Sequence, residues 1–220
     1  GLAISAGLIW WTFRLTDWGA SWQFIVDADR GWMLLAVFLA ALPALAEWKL
    51  DPERSSVEFI SIKAKDVGEV HRFQEIQGII GEDGAVSIAL MLDSVETLIP
   101  IRNERMREFL FETTNYKEAT LTAKIESEFL AGMKPGDIKS VTAEGNLSLH
   151  GATQPMTLSM RAARVSEDEV LVASVKPLIV NAEKFGLGSG IEKLREIAGL
   201  DSISHAVPVT FVITFVKAGG

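Results

Sequence analysis

The chain of 220 residues contains no cysteine. That removes disulfides, a thiolate nucleophile and a lipid-modified cysteine from consideration, and it fits any redox compartment. Positive charge is short as well, 21 Lys and Arg against 29 Asp and Glu, for a formal charge of −8. This balance argues against a nucleic-acid partner, because phosphate binding is driven by basic side chains. The three histidines, His71, His150 and His205, lie far apart and show no metal-ligand spacing. No Gly-x-Ser-x-Gly elbow occurs, and the serine of Gly188-Ser189-Gly190 is better placed to cap a helix than to attack a substrate. A glycine-rich phosphate loop is also missing. Neither a metal, nor a cofactor, nor a catalytic residue is therefore expected.

What is present divides into three segments. Residues 1–32 hold five of the six tryptophans, a composition suited to a membrane interface, where indole rings settle. A buried helix, or sequence upstream of the true start, is the other reading of this segment. Residues 33–46 follow Arg30 with an apolar run, Pro43 and Ala44-Leu45-Ala46. That is the pattern of a secretory signal, with cleavage expected after Ala46, although a retained apolar helix has the same composition. The expected location is periplasmic or secreted, with membrane association through the N-terminal segment left open.

Residues 47–220 read as one domain, since no repeat or proline-rich linker interrupts them. Its centre is Gly145 to Leu158, where Leu147 and Leu149 alternate with polar neighbours before His150-Gly151, and Met156, Leu158 and Met160 resume the alternation after Pro155. This predicts an antiparallel hairpin turning at Gly151. Further strands are predicted over Ser56–Ile62, Phe73–Ile80, Ala85–Asp93, Ala119–Phe129, Ser140–His150, Met156–Val165, Glu169–Val175 and Val207–Val216. Val86, Ile88, Leu90 and Leu92 share one face, as do Leu121, Ala123 and Ile125. Short helices are predicted from Asn103 as N-cap through Phe111, and from a Ser189/Glu192 capping box to Gly199. Short strands at this spacing make an all-β sandwich or barrel.

The apolar content exceeds what a small sandwich requires. Phe59, Phe73, Phe109, Phe111 and Phe129 are joined by Phe185, Phe211, Met91, Met156 and Met160. Such a set either fills a core or lines a cavity for a flexible hydrocarbon, and a barrel of about eight strands has room for a small ligand.

Several stretches decide between these readings. Trp48-Lys49-Leu50-Asp51-Pro52 leading into Ser56-Val57-Glu58-Phe59, Ser94-Val95-Glu96-Thr97 with Arg102-Asn103-Glu104-Arg105-Met106, and above all Gly145-Asn146-Leu147-Ser148-Leu149-His150-Gly151-Ala152-Thr153-Gln154-Pro155 resemble the landmarks of the YceI-like family of polyisoprenoid-binding proteins. Asn181-Ala182-Glu183-Lys184-Phe185-Gly186 stands where the family has Arg-x-Asp-Phe-Gly, so Asn181 and Lys184 depart from it, as Asn103 does from the family's aspartate.

The resemblance implies a lipocalin-like, extended antiparallel β-barrel of about eight strands with one or two short helices. It further implies binding of an isoprenoid or quinone-like lipid, of quinone or polyprenyl phosphate type, for transport or storage outside the cytoplasm. The expected apolar lining is Phe59, Phe73, Met91, Phe109, Phe111 and Phe129 with Leu147, Met156, Met160, Phe185 and Phe211. The expected head-group contacts are Arg102, Asn103, Arg105 and His150, the last of which also fits a turn-stabilising role. No enzyme activity is expected, and a homodimer is compatible with this reading. Two other readings stay open: an enzyme acting on a lipid or quinone in the same cavity, and a non-binding structural or stress-response module.

Overall fold

Period-two alternation runs through nearly all of the computed structural model, which describes residues 46–218. Its strands are β1 (Ala46–Leu50), β2 (Ser56–Lys63), β3 (Val67–Phe73), β4 (Ile76–Gly81), β5 (Ala85–Met91) and β6 (Val95–Glu96). They continue with β7 (Glu118–Lys124), β8 (Ile138–Leu149), β9 (Ala152–Ser166), β10 (Glu169–Ser174), β11 (Leu178–Asn181) and β12 (Ala206–Lys217). The order β1-β4-β5-β7-β8-β9-β10-β12 closes into a ring, because β12 pairs back onto β1 with Trp48 opposite Lys217 and Leu50 opposite Phe215. The result is the expected eight-stranded antiparallel barrel. Segment 1–32 and nearly all of the apolar run 33–46 lie outside the described residues.

Four of the eight staves are each one long strand broken once. β1 and β2 both lie along β12, β3 and β4 continue one another, β5 leads into β6, and β10 leads into β11. Three of the breaks are filled by a serine. Ser55 Oγ donates to Asp51 O at 2.6 Å and accepts from Thr214 N at 3.0 Å. Ser94 Oγ donates to Met91 O at 2.6 Å and accepts from Glu75 N at 3.0 Å. Ser174 Oγ accepts from Phe211 N at 3.2 Å. Each hydroxyl replaces a ladder partner that the break removes, so the backbone polar groups stay paired where the wall bends.

The breaks explain where the predicted strands differ from the observed ones. The stretch predicted as one strand from Phe73 to Ile80 spans the end of β3, a break at Gln74–Glu75 and β4. Strand β7 stops at Lys124, short of the predicted Phe129.

The long hairpin β8–β9 turns at His150 and Gly151, with Leu149 opposite Ala152. Both turn residues have positive φ, 50° and 76°, the two-residue turn whose twist matches that of the flanking strands. A Cβ at 151 would also stand 3.1 Å from the Tyr116 ring, a tight contact. β9 begins at Ala152, earlier than predicted. Pro155 lies inside it opposite Asn146, at a level where the β10–β9 pairing, which ends at Met160, does not reach. Its missing N–H therefore costs no bond on that side.

Two short helices lie over one end of the barrel. Helix α1 (Pro100–Arg105) runs straight into a single π-helical turn, Met106–Leu110. It starts at Pro100, whose fixed φ suits a first turn, so the expected N-cap Asn103 is an interior residue instead. Helix α2 (Gly188–Ala198) has Leu187 at its N-cap with no side-chain bond, and the expected Ser189 capping box is not formed. Glu192 pairs with Arg195 at 2.6 Å instead. The predicted end at Gly199 is met, with φ of 62°. The two helices touch where Gly190 meets the backbone of Phe109 and Leu110, leaving no space for a Cβ.

Ser94 is 8% exposed and holds two backbone groups. The substitution Ser94→Ala leaves both unpaired and is expected to destabilise the fold by about 1–3 kcal/mol, measurable as a lowered midpoint with unchanged slope in urea unfolding.

Candidate ligand cavity

Inward-facing residues of the strands do not meet in the middle. They enclose a cavity of about 440 Å³ that runs through the barrel interior, within the range of small-molecule sites. Its wall follows the alternation: Val57 and Phe59 of β2, Val86, Ile88 and Leu90 of β5, Leu121 and Ala123 of β7. The wall continues through Leu147 of β8 beside Leu121, Met156, Leu158 and Met160 of β9, and Phe211 of β12 beside Val57. One end is shut by a packed layer that includes Trp48, Leu50, Val170 and Met133. Arg164 lies over the Trp48 ring at 4.6 Å and donates to the carbonyls of Ser166 and Glu167. At the other end α1 and α2 contribute lining residues, and the cavity reaches the surface beside Ile99 and Ile101, 44% and 51% exposed.

Polar lining is concentrated at that second end. β2 turns Phe59, Ser61 and Lys63 inward and β3 turns Glu69, His71 and Phe73 inward, with Ser61 opposite Glu69 and Phe59 opposite His71. Glu69 Oε2 receives Lys63 at 2.8 Å and Arg102 at 2.7 Å. These partners hold the carboxyl below its ordinary pKa, the Lys63 hydrogen bond foremost. Arg102 also donates to Thr97 O at 2.6 Å. His71 is 2% exposed, and its Nε2 shares a 2.7 Å hydrogen bond with Ser61 Oγ. Burial first, and then the charge of Arg102, push its pKa down to about 4, so the ring is neutral at neutral pH. His71 Nδ1 and Arg102 Nε are both buried with no partner. Phe59, opposite His71, stands 5.2 Å from its ring, and Phe73 and Phe111 continue the aromatic cluster.

Of the lining expected from the sequence, Phe59, Phe73, Phe111, Phe129, Leu147, Met156, Met160 and Phe211 face the cavity. Met91, Phe109 and Phe185 do not. Met91 follows the odd, outward positions of β5, and Phe109 borders a surface depression between the π turn and α2. Phe185 is 2% exposed and packs in the core beside Ala182 and Leu187, which take the lining positions.

Among the expected head-group residues, Arg102 and Arg105 line the polar end. Asn103 and His150 lie off the cavity. Asn103 is buried as a loop staple, its Oδ1 accepting from Thr97 N at 2.9 Å and its Nδ2 donating to Glu96 at 3.1 Å. It thereby fixes the Thr97–Arg102 segment. His150 is the turn residue and packs against Tyr116 at 4.2 Å. Asn181, at the departure from the family pattern, accepts from Glu183 N and caps a 3₁₀ turn.

Sequence reasoning missed Ser61, Glu69 and His71 as site residues. No helix among the described residues is long and apolar enough to cross a membrane.

Comparison with known proteins places this geometry. The model of the YceI-like domain matches residues 48–215. A solved structure of a polyisoprenoid-binding domain from Saccharophagus degradans, implicated in plant cell wall breakdown, is 35% identical. The match covers 78% of this chain and 99% of that one, with a TM-score of 0.77. BcnA of Burkholderia cenocepacia is 16% identical over 75% of this chain and 98% of its own, with a TM-score of 0.59, and shares the fold. No curated protein matches the chain.

Folding holds His71 neutral, from an ordinary value of 6.5 down to about 4. Between those pH values the unfolded chain takes up a proton at this site and the folded chain does not. Stability should therefore fall as pH drops through that window, by on the order of 3 kcal/mol from this residue. Denaturant titrations of the protein and of His71→Phe should show that part of the pH slope only in the former.

Proposed function

The chain belongs to the YceI-like family, and from that we infer that it binds a long isoprenoid lipid, of quinone or polyprenyl phosphate type, inside the barrel. The observation that carries this reading is the apolar cavity running through the barrel interior, with its polar groups gathered at the end that reaches the surface. A prenyl chain is apolar, flexible and narrow, and it suits a wall of Phe, Met and aliphatic side chains that can shift around it. Burying it is worth on the order of 25 cal/mol per Å² of apolar surface before ordering costs are subtracted. The 35% identical polyisoprenoid-binding domain supports the same assignment.

The protein carries or stores the lipid and performs no chemistry on it. Ser61 and His71 make a contact of the kind used by a nucleophile and its base. The imidazole, however, has no carboxylate on Nδ1 to orient it, and a base with a pKa of about 4 is weak near neutral pH. The setting is outside the cytoplasm, periplasmic or secreted. The signal-type run at 33–46 supports export, and the Trp-rich residues 1–32 support a position near a membrane.

Mass spectrometry of a chloroform extract of the purified protein should find a prenyl lipid in near-stoichiometric amount. Ala143 is 5% exposed and lines the cavity, so Ala143→Trp fills the space a chain would occupy. This variant should hold at least about tenfold less lipid while melting within a few degrees of the parent. A lipid-free extract from the parent, or equal lipid in a folded Ala143→Trp, would overturn the reading.

A further inference from the structure

We propose that the loop 98–101 docks the mouth of the barrel onto an anionic lipid bilayer, so that the cavity opens into the membrane and not into water. The inference rests on the lipid-binding reading above and adds the surface from which the lipid is drawn.

Leu98, Ile99, Pro100 and Ile101 are four consecutive apolar residues, all of them exposed. Leu98, at 84%, is the most exposed large apolar side chain among the described residues. Val70 extends the patch. It and Leu98 each lie two residues from the paired Arg72 and Glu96, toward the same end of the barrel, and Val70 is 59% exposed. A cluster of this kind at a rim marks a surface that something covers.

The loop is also braced in that posture. Leu98 has φ of 63°, a left-handed backbone that a branched apolar residue rarely takes. The Glu96 carboxylate accepts from Leu98 N, and Asn103 Oδ1 accepts from Thr97 N at 2.9 Å and from Thr97 Oγ1 at 2.5 Å. Thr97 and Asn103 are both buried. Polar bonds thus pin the base of the loop while its apolar side chains stay in solvent.

Three features select a bilayer as the partner. Ile99 and Ile101 are exposed and also line the cavity, so the patch is continuous with the mouth, and a protein seated there would plug it. So small a patch also falls far short of the roughly 20–30 residues a side of a stable protein interface. Charge is the third. Among the described residues, Lys63, Arg102 and Arg105 line the cavity against one carboxylate, Glu69, in a chain whose formal charge is −8. A positive mouth on an acidic protein is drawn face first to a negative membrane surface. The apolar loop then enters the boundary between head groups and acyl chains, where shallow insertion adds to that attraction. A prenyl chain passes from bilayer to barrel without crossing water.

The chain has no cysteine, so Leu98→Cys carries a single environment-sensitive fluorophore at the rim. Glu167→Cys, in the exposed turn between β9 and β10 beside the sealed end, carries the control. The full labelled chains are mixed with vesicles of phosphatidylcholine, with and without phosphatidylglycerol. On the anionic vesicles the label at 98 should shift to the blue and be quenched by spin-labelled lipid, an effect that fades in high salt. The label at 167 should do neither. Leu98→Asp with Val70→Asp changes side chains outside the cavity lining, and aspartate tolerates the backbone at 98. This double variant should bind detergent-dispersed geranylgeraniol as the parent does, yet draw it from anionic vesicles about tenfold more slowly. Docking would be overturned by a label at 98 that stays in water, by insertion indifferent to phosphatidylglycerol, or by an equal response at 167. A blue shift without vesicles, the mark of a second copy on the patch, or unchanged transfer in the double variant would overturn it too. Binding of dispersed geranylgeraniol then keeps the cavity reading, whereas its failure in the parent removes both.

Discussion

Trp48 to Leu50 pair with Phe215 to Lys217, and Ser56 to Phe59 of the same stave pair with Val209 to Val212; without these ladders to β12 the sheet would have two edges and no interior. Closure turns alternation into containment. Once the wall is a ring, every second residue must face either solvent or the enclosed space, so a strand's inner positions are committed together. The packed layer of Trp48, Leu50, Val170 and Met133 then seals one end, and the cavity is left with a single polar end beneath the helices. Ligand chemistry in this protein is thus set by register more than by any local motif.

Electrostatics at the polar end follow from this confinement. Cations brought inside a barrel need partners, and Glu69 supplies one for both Lys63 and Arg102. Their positive charge in turn helps keep His71 neutral, although burial is the larger cause. The Asn103 staple to Thr97 and Glu96 holds the loop from which Arg102 reaches in. A residue off the cavity therefore shapes its charge, by placing another residue's guanidinium.

Much of the barrel was legible in the sequence, because strands such as β5, β7 and β8 carry apolar residues on one face only. The lining at Leu147, Met156 and Met160 followed directly from that pattern. Its reversal hid the rest. On β3 the inner positions are Glu69 and His71, while Val70 is 59% exposed on the outside. On β2, Ser61 and Lys63 point inward and Ile60 and Ile62 alternate with them. Polar-in strand ends look to a periodicity argument like solvated loops, so β3 was not predicted and His71 was weighed only as a metal ligand. Met91, Phe109 and Phe185 failed in the opposite way, since composition marks a large apolar side chain without saying which side of the wall it takes. Asn103 and His150 were drawn to the site by resemblance, whereas their side chains stabilise a loop and a turn.

Serines 55, 94 and 174 sit at breaks on alternate staves, β1/β2, β5/β6 and β10/β11, with β3/β4 and β12 between them. A ladder carbonyl is fixed by its peptide plane, but a hydroxyl can rotate about its Cβ–O bond and keep one partner while releasing another. Each such swap risks a single bond of about 1 kcal/mol and leaves the pairing above and below intact. Each break is therefore a place where the wall can open locally without unzipping the sheet. Amide exchange at Glu75, Phe211 and Thr214 is the place where such breathing would register first.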